Sequence, residues 1–166
     1  HCCHKTAVIP LADGAFLDAF QNVSAQYPYI NSKDMFVDNL AMELALDPTR
    51  FDVLLLQNLY GDIISDLTAG LVGGLGVVPG ANIGDRIAVF EAVHGTAPDI
   101  EGKGIANPLA VLNSALLLLE YVGERKIAKR IERAIFDVLE EGKYKTGDLG
   151  GKANTKEFTD AIIDKL

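Results

Sequence analysis

Two aspartates stand four residues apart in the otherwise apolar stretch 58–66, NLYGDIISD. In a helix, Asp62 and Asp66 project from the same face with Cβ atoms about 5–6 Å apart, and like charges at that spacing repel each other. A divalent cation between them would remove the repulsion. The alternative is a solvated helix face on which the helix dipole favours an aspartate near the amino end. The spacing alone leaves both interpretations open.

The composition limits the kind of protein that carries this pair. Of its 166 residues, 49% are hydrophobic and 23% are charged, which is typical of a globular chain. The net charge of −8 opposes binding to nucleic acid or to an anionic membrane surface. The most apolar stretches, 51–56 and 106–119, are shorter than the roughly 20 residues of a membrane-spanning helix. We therefore predict a soluble, cytoplasmic protein with neither nucleic acid nor membrane as a partner.

The cysteines are adjacent, at Cys2 and Cys3, and so cannot close loops across the fold. With His1 and His4 they form a run of four potential zinc ligands, but the run lacks the spacer between ligand pairs that a tetrahedral site needs. Reduced, unpaired cysteines are therefore the preferred interpretation of residues 1–4, and a zinc site is the weaker alternative. Because the sequence has neither an initiating Met nor a signal peptide, we expect it to be part of a longer chain.

Alternating apolar patterns predict an α/β chain with a mixed, partly parallel sheet and packed helices. Strands are predicted at residues 1–9, 34–37, 51–56 and 87–91, and helices at 13–27, 38–46, 61–72, 108–121, 124–141 and 155–165. The continuous apolar run at 51–56 is typical of a strand buried on both faces. Residues 79–84 are predicted to form a loop. The glycines at 70–76 match no phosphate-binding pattern and indicate close packing and a turn.

Several separated motifs resemble the carboxyl-terminal half of the β-decarboxylating dehydrogenases, the family of isocitrate, homoisocitrate and 3-isopropylmalate dehydrogenases. In order, they are His4-Lys5, Val37-Asp38-Asn39, NLYGDIISDLTAGLVGGLGVVPGANIG, FEAVHGTAPDIEGKGIANP and the closing FTDAII. The resemblance covers nearly the whole chain and implies an isocitrate/isopropylmalate dehydrogenase-like fold. It implies that 1–60 belong to the small, dimer-forming domain. It also implies that 61–166 contain a dimer-interface helix followed by part of the large, NAD-binding domain.

The resemblance gives the aspartate pair a role. It implies that Asp62 and Asp66 are ligands of Mg²⁺ or Mn²⁺, and that Asp38, as a third carboxylate, reaches the metal of a neighbouring subunit. Oxygen ligands suit such hard cations. An ion of this kind acts as a Lewis acid on a ketone and on the enolate left when CO₂ departs.

Lys5 matches the lysine of the family's His-Lys motif, which implies proton transfer at the substrate hydroxyl in the partner's site. Taken alone, a lysine of this kind is most simply a solvated surface charge. One departure stands out, because the family usually has Asn two residues later, near the nicotinamide, and this chain has Ala7. Either the cofactor contact is made otherwise or the chain is catalytically altered.

The loop after the predicted strand at 87–91 resembles the family's adenosine-binding loop. The residues implied in cofactor binding are His94, Gly95, Thr96, Ala97, Asp99, Ile100 and, at the adenine, Asn107. A carboxylate at position 99 accepts hydrogen bonds from ribose hydroxyls and repels a 2′-phosphate, which favours NAD over NADP. The alternative for the isolated loop is a Gly/Pro turn with a surface aspartate.

The two helices predicted at 38–46 and 61–72 are apolar on more than one face. Their apolar residues are Leu40, Met42, Leu44 and Leu46, and Ile63, Ile64, Leu67, Leu71 and Val72. One sheet should not cover all of them, so a second surface is expected. The resemblance implies a two-fold dimer, as a homodimer or with a paired subunit, in which each active site combines two chains.

The resulting hypothesis is an NAD-dependent, Mg²⁺- or Mn²⁺-dependent oxidative decarboxylase of a 2-hydroxy acid. Isocitrate, giving 2-oxoglutarate and CO₂ as in the tricarboxylic acid cycle, is the first choice. The Leu59-Tyr60 pair favours isocitrate or homoisocitrate over 3-isopropylmalate. Because the family's substrate-reading elements lie in its other half, a non-catalytic regulatory subunit or fragment that binds nucleotide or a complete partner chain is the second hypothesis. A purely structural α/β module is the third.

Overall fold

The computed structural model describes the whole chain, His1–Leu166, and divides it into two compact units, His1–Leu71 and Val72–Leu166. Each unit has its own hydrophobic cluster. None of the helices is both long enough and apolar enough to cross a membrane.

The first unit is built on a three-stranded parallel sheet in the order β2-β1-β3. The strands are β1 (Cys2–His4), β2 (Asp34–Phe36) and β3 (Leu55–Leu56), and the helices are α1 (Ala12–Ser24), α2 (Val37–Leu46) and α3 (Asn58–Val72). Helix α2 begins directly after β2, and α3 begins two residues after β3. Since the strands are parallel, their carboxyl ends share one edge of the sheet. That edge carries the starts of α2 and α3.

The core of the first unit combines strand and helix side chains. Cys3 packs with Leu40 and Leu44 of α2 and with Ile64 of α3, and each of these is at least 97% buried. Burial raises the pKa of the Cys3 thiol to about 11, so this thiol stays neutral at physiological pH. Zinc is bound by thiolates, and no group of three metal-ligating side chains forms anywhere in the chain. The structure therefore gives no support to a zinc site at residues 1–4.

The second unit packs three helices with a β-hairpin. The hairpin pairs β4 (Pro79–Ile83) with β5 (Ala88–Ala92) antiparallel, and the helices are α4 (Leu109–Tyr121), α5 (Arg125–Glu141) and α6 (Thr155–Ile163). One-turn 3-10 helices lie at Leu75–Val77, Pro98–Ile100 and Gly147–Leu149. The buried Ser114 Oγ of α4 donates a hydrogen bond to the Glu91 carbonyl at 2.7 Å. This bond fastens α4 to the hairpin.

The core of the second unit lies between α4, α5 and α6. Its buried members are Leu109, Ala134, Ile135, Val138, Phe158 and Ile162. Phe158 is fully buried, and a buried phenyl ring of this kind contributes roughly 1.5–3 kcal/mol relative to an exposed one. Helix α5 ends at Gly142, whose φ of 70° is the left-handed conformation that glycine adopts most easily. Helix α6 begins with a capping box formed by Asn154 and Glu157.

The structure confirms the predicted α/β fold with a parallel sheet and packed helices. The predicted mixed sheet is instead two sheets, one parallel and one antiparallel, and three of the predicted elements are corrected. The first predicted strand ends early, because the N–H groups of Val8 and Ile9 turn back to the Lys5 carbonyl, each at 2.9 Å. The strand predicted at 51–56 contains only Leu55 and Leu56. The prediction that it is buried on both faces is wrong, because β3 is an edge strand and Leu55 is 44% exposed.

The third correction is β4, a strand where the sequence predicts a loop. Pro79 is tolerated because it is the first residue of the strand. Gly80 suits the close approach of the two strands, since a Cβ there would lie 3.0 Å from the Glu91 carbonyl oxygen, which is a tight contact. The turn-forming residues that suggest a loop therefore have specific places in a hairpin.

Candidate active site

Lys5 and Asp38 meet at the shared edge of the parallel sheet. Lys5 directly follows β1, and Asp38 is the second residue of α2, directly after β2. His4 and Phe36 are paired across these two strands, so the residues after them are neighbours. Lys5 Nζ lies 2.5 Å from Asp38 Oδ1. The structure thus brings together two candidate residues that are 33 positions apart in the sequence.

This ion pair changes the titration of Asp38. The hydrogen bond from Lys5 is the largest cause and holds the pKa of the Asp38 carboxyl below its usual value of 3.8, although partial burial acts in the opposite direction. The Asp38 side chain is 58% exposed, so solvent screens the interaction. The pair is accordingly a device for orienting two side chains rather than a major source of stability.

Asp62 and Asp66 are exposed on α3, four residues apart. Ile64, between them in sequence, is buried in the core and fixes which face of the helix is turned outward. Neither carboxylate is in a salt bridge or accepts a hydrogen bond from another side chain. The pair therefore presents two unneutralised oxygen ligands on one helix.

The chemistry of this pair fits a hard divalent cation, because carboxylate oxygens are the ligands that Mg²⁺ and Mn²⁺ prefer. The pair is not a complete site, since no three His, Cys, Asp or Glu side chains of the chain form a metal-binding group. Asp38 is held by Lys5 of its own chain. Further ligands would have to come from water, from substrate or from a second chain.

The predicted cofactor residues His94, Gly95, Thr96, Ala97 and Asp99 are all exposed in the loop after β5, and Ile100 is partly buried. Ala97 has φ 44° and ψ 61° and is the only non-glycine residue with a positive φ. It caps the 3-10 helix Pro98–Ile100, which carries Asp99 in its first turn. A left-handed alanine costs roughly 1–2 kcal/mol, and such strain is concentrated at functional loops.

Two hydrogen bonds hold the side chain of Asn107, the candidate adenine contact. Its Nδ2 donates to Asp148 Oδ2 at 2.8 Å, and its Oδ1 accepts from the Leu109 N–H at 2.9 Å. The side chain thus joins the start of α4 to the turn that contains Asp148. Gly76 leaves room for this contact, since a Cβ there would lie 2.8 Å from Asp148 Oδ2. The second Nδ2–H donor and the second lone pair of Oδ1 are not used by these two bonds.

Sequence reasoning missed Asp13. Predicted only as the first residue of a helix, it is 98% buried and accepts three hydrogen bonds. The donors are the Lys5 backbone N–H at 2.5 Å, Tyr60 Oη at 3.0 Å and Gln57 Nε2 at 3.2 Å. Burial raises the pKa of Tyr60, and the neighbouring Asp13 raises it further. An acidic residue in the first turn of a helix is usually exposed, so the sequence held no signal for this burial.

The fold agrees with what comparison shows about the class of protein. The chain belongs to the isocitrate/isopropylmalate dehydrogenase family, whose model matches residues 1–162. The expectation drawn from the motifs is confirmed at the level of the family.

Individual relatives place the chain within this family. It is 55% identical over 166 residues to the isocitrate/homoisocitrate dehydrogenase of Thermus thermophilus, covering 100% of this chain and 49% of that protein. It is 49% identical over 166 residues to a mitochondrial regulatory subunit of isocitrate dehydrogenase [NAD] from Dictyostelium discoideum, covering 99% of this chain and 47% of that protein. The crystal structure of isocitrate dehydrogenase from Methylococcus capsulatus superposes with a TM-score of 0.93 at 44% identity, over 99% of this chain and 49% of that one.

The chain spans about half the length of the relatives that it matches. The candidate metal and proton-transfer residues all lie in the first unit, and the candidate cofactor residues all lie in the second. Their roles stay predictions, as do the assignment to small and large domains and the cytoplasmic location.

The Lys5–Asp38 ion pair leads to a prediction about pH. Lys5→Met should raise the pKa of Asp38 toward 3.8, because its main stabilising donor is lost. Since the folded pKa is depressed in the wild type, the stabilisation is present above 3.8 and is lost as the pH falls through the folded value. Carboxyl ¹³C chemical shifts followed from about pH 6 to about pH 2.5 would measure the Asp38 midpoint. An unchanged midpoint in Lys5→Met, with Lys33→Met as the control, would contradict the ion pair.

Proposed function

We propose that this chain forms part of an NAD-dependent, Mg²⁺- or Mn²⁺-dependent dehydrogenase that oxidises and decarboxylates a 2-hydroxy acid. Isocitrate is the proposed substrate, with 2-oxoglutarate and CO₂ as products. The observation that carries the proposal is the convergence of Lys5 and Asp38 at 2.5 Å in a chain of this family. Lys5 and Asp38 belong to separate motifs that were assigned to one site, and their side chains are in contact.

In this proposal, the carboxylates of α3 would bind the cation, and Lys5 would accept the proton of the substrate hydroxyl. Asp62 and Asp66 hold the metal, which when bound supplies Lewis acidity at the substrate hydroxyl and adjacent carboxylate. Lys5 Nζ takes the hydroxyl proton only as a neutral amine, so its contact with Asp38 must open and one ammonium proton must pass to water first. Once released from Lys5, the Asp38 carboxylate would be free to hold the metal of the partner subunit. Separation of the ion pair is then part of filling the site.

The cofactor is proposed to bind along the loop of the second unit, with the ribose hydroxyls at Asp99. The exposure of Asp99 and its place in a turn set by the strained Ala97 support this role. A 2′-phosphate would meet the negative charge of Asp99, so NAD is the proposed cofactor. The name of the Dictyostelium discoideum relative also includes NAD.

The apolar surfaces of α2 and α3 support a dimer. Leu40, Leu44 and Ile64 are used in the core of the first unit. Seven further large apolar residues of these two helices are exposed by 36–75%, namely Met42, Leu46, Leu59, Ile63, Leu67, Leu71 and Val72. A second copy or a paired subunit packed on these helices would bury them, and it would bring Lys5 and Asp38 to a neighbouring site.

A second candidate function is that of a non-catalytic, regulatory chain. The presence of Ala7 where the family usually has Asn and the 49% identity to a chain named as a regulatory subunit both favour it. Homoisocitrate is the alternative substrate, since the Thermus thermophilus relative is named for both acids. Steady-state assays of the assembled enzyme with isocitrate, homoisocitrate and 3-isopropylmalate separate these possibilities. Absence of turnover with all three, while nucleotide still binds, would favour the regulatory function.

The metal proposal predicts that Mn²⁺ stabilises the protein through Asp62 and Asp66. A ligand that binds only the folded state at about 100 times its Kd adds about 2.7 kcal/mol, so Tm should rise with Mn²⁺ concentration. Asp62→Asn should shift the Mn²⁺ dependence to at least about 10-fold higher concentration, because one ligand charge is lost. Asp18→Asn, an aspartate of α1 outside the proposed site, is the control. If Mn²⁺ raises the Tm of neither the wild type nor the Asp18→Asn control, a purely structural module is favoured.

The cofactor proposal predicts a change of preference. Asp99→Lys combined with Ile100→Tyr should raise the NADP/NAD ratio of kcat/KM by at least about 10-fold, because it removes repulsion and adds a cation and a hydroxyl. Glu101→Lys adds a cation two residues from Asp99 and should leave the ratio close to that of the wild type. If the double variant and the control shift the ratio equally, Asp99 does not face the ribose.

The shared-site proposal predicts complementation between two inactive chains. Lys5→Ala and Asp62→Asn should each abolish turnover, and mixed dimers should regain part of it, because one of their two sites carries neither defect. The measurement is activity after subunit exchange, with exchange demonstrated by mass spectrometry of differently labelled chains. No recovery after complete exchange would show that Lys5 acts within its own subunit.

A further inference from the structure

Asp13 is the only buried acidic residue of the chain, with 2% of its surface exposed. No cation neutralises it. Its partners are three neutral donors, with the Lys5 N–H and the Tyr60 hydroxyl on Oδ2 and the Gln57 amide on Oδ1. A buried carboxylate that loses its hydrogen bonds is costly, so these donors are held close to their present places.

The three donors come from two separate segments that meet at one edge of the parallel sheet. Lys5 follows β1, whereas Gln57 and Tyr60 flank the start of α3. Asp13 itself lies in the first turn of α1. One carboxylate therefore ties the segment that bears the lysine to the helix that bears Asp62 and Asp66.

Both backbone polar groups of Lys5 are held. Its N–H donates to Asp13, and its carbonyl accepts from the N–H groups of Val8 and Ile9. Only the Lys5 side chain is left to change conformation, and its Nζ contacts Asp38. A lysine side chain is long and flexible, so a fixed backbone is needed if its amine is to return to the same point in each turnover.

We propose that Asp13 is a positioning residue for proton transfer. It fixes the backbone of Lys5 and, through Tyr60, the first turn of α3, so that the amine and the aspartate pair keep constant places. This inference rests on the proposed role of Lys5. Asp13 touches neither substrate nor cofactor in this scheme, and its effect passes through the residues that it holds.

The first test measures kcat and KM separately in the assembled enzyme. Asp13→Asn keeps the size of the side chain but cannot satisfy donors at both oxygens, so kcat per folded enzyme should fall about 10-fold to 100-fold. The KM values for the hydroxy acid and for NAD should stay within about twofold, because ground-state contacts are unchanged. Asp18→Asn, which also lies on α1, should keep the wild-type kcat. A wild-type kcat in folded Asp13→Asn would overturn the inference.

Lys5→Ala separates the inference from the proposed function. If Lys5→Ala is inactive and Asp13→Asn is not impaired, the inference fails and the proposed role of Lys5 stands. If Lys5→Ala keeps full kcat, the proposed role of Lys5 fails and the inference fails with it.

A second test needs no activity. If Asp13 holds Lys5 in place, Asp13→Asn should speed hydrogen exchange of the Lys5 backbone N–H, which loses its carboxylate acceptor, whereas Asp18→Asn should leave the wild-type exchange rate. Tyr60→Phe covers the case in which Asp13→Asn does not fold, because it removes one donor to Oδ2 and leaves the backbone intact. It should lower kcat about threefold to tenfold with KM unchanged. A wild-type kcat in Tyr60→Phe would overturn the link between Asp13 and α3.

Discussion

Parallel pairing of β1 between β2 and β3 is the constraint on which the arrangement of the first unit depends. It places three carboxyl strand ends at one edge, and every candidate catalytic or metal residue of the unit follows one of those ends: Lys5 after β1, Asp38 after β2, and Asp62 and Asp66 on the helix after β3. In open α/β sheets, ligands bind outside the carboxyl ends of the strands for this reason. The short strands are thus enough to gather residues from positions 5 to 66.

Charge at this edge is arranged in two ways. The Lys5–Asp38 pair is partly exposed and opens at little cost, which suits the proposed change of partners when substrate and metal bind. The Asp13 carboxylate is fully enclosed and bonded three times, which suits a fixed support. A labile exposed pair next to a rigid buried anchor is the arrangement expected of a site that must reset after each turnover.

The second unit holds its candidate loop by different means. Antiparallel pairing of β4 with β5 fixes the strand from which the loop leaves, and Asn107 and Asp148 fasten the point where it reaches α4. Between these anchors the loop is exposed, and Ala97 is in a left-handed conformation. Rigid ends with a strained, solvent-facing middle leave the backbone and Asp99 accessible to a ligand while limiting the entropy lost on binding.

The sequence by itself determined the family, the alternation of strands and helices, and the placement of Asp62 and Asp66 on one helix, because these depend on motif order and on local apolar periodicity. The predicted limits of β1 and β3 were wrong. The turn of Val8 and Ile9 onto Lys5 sets the end of β1, and the edge position of β3 sets its exposure. Only the tertiary structure decided that Lys5 meets Asp38, that Asn107 binds Asp148, and that Asp13 is buried beneath Lys5 and Tyr60. Each of these contacts joins residues from different elements, and nothing in the local pattern around an aspartate records which distant donors will enclose it.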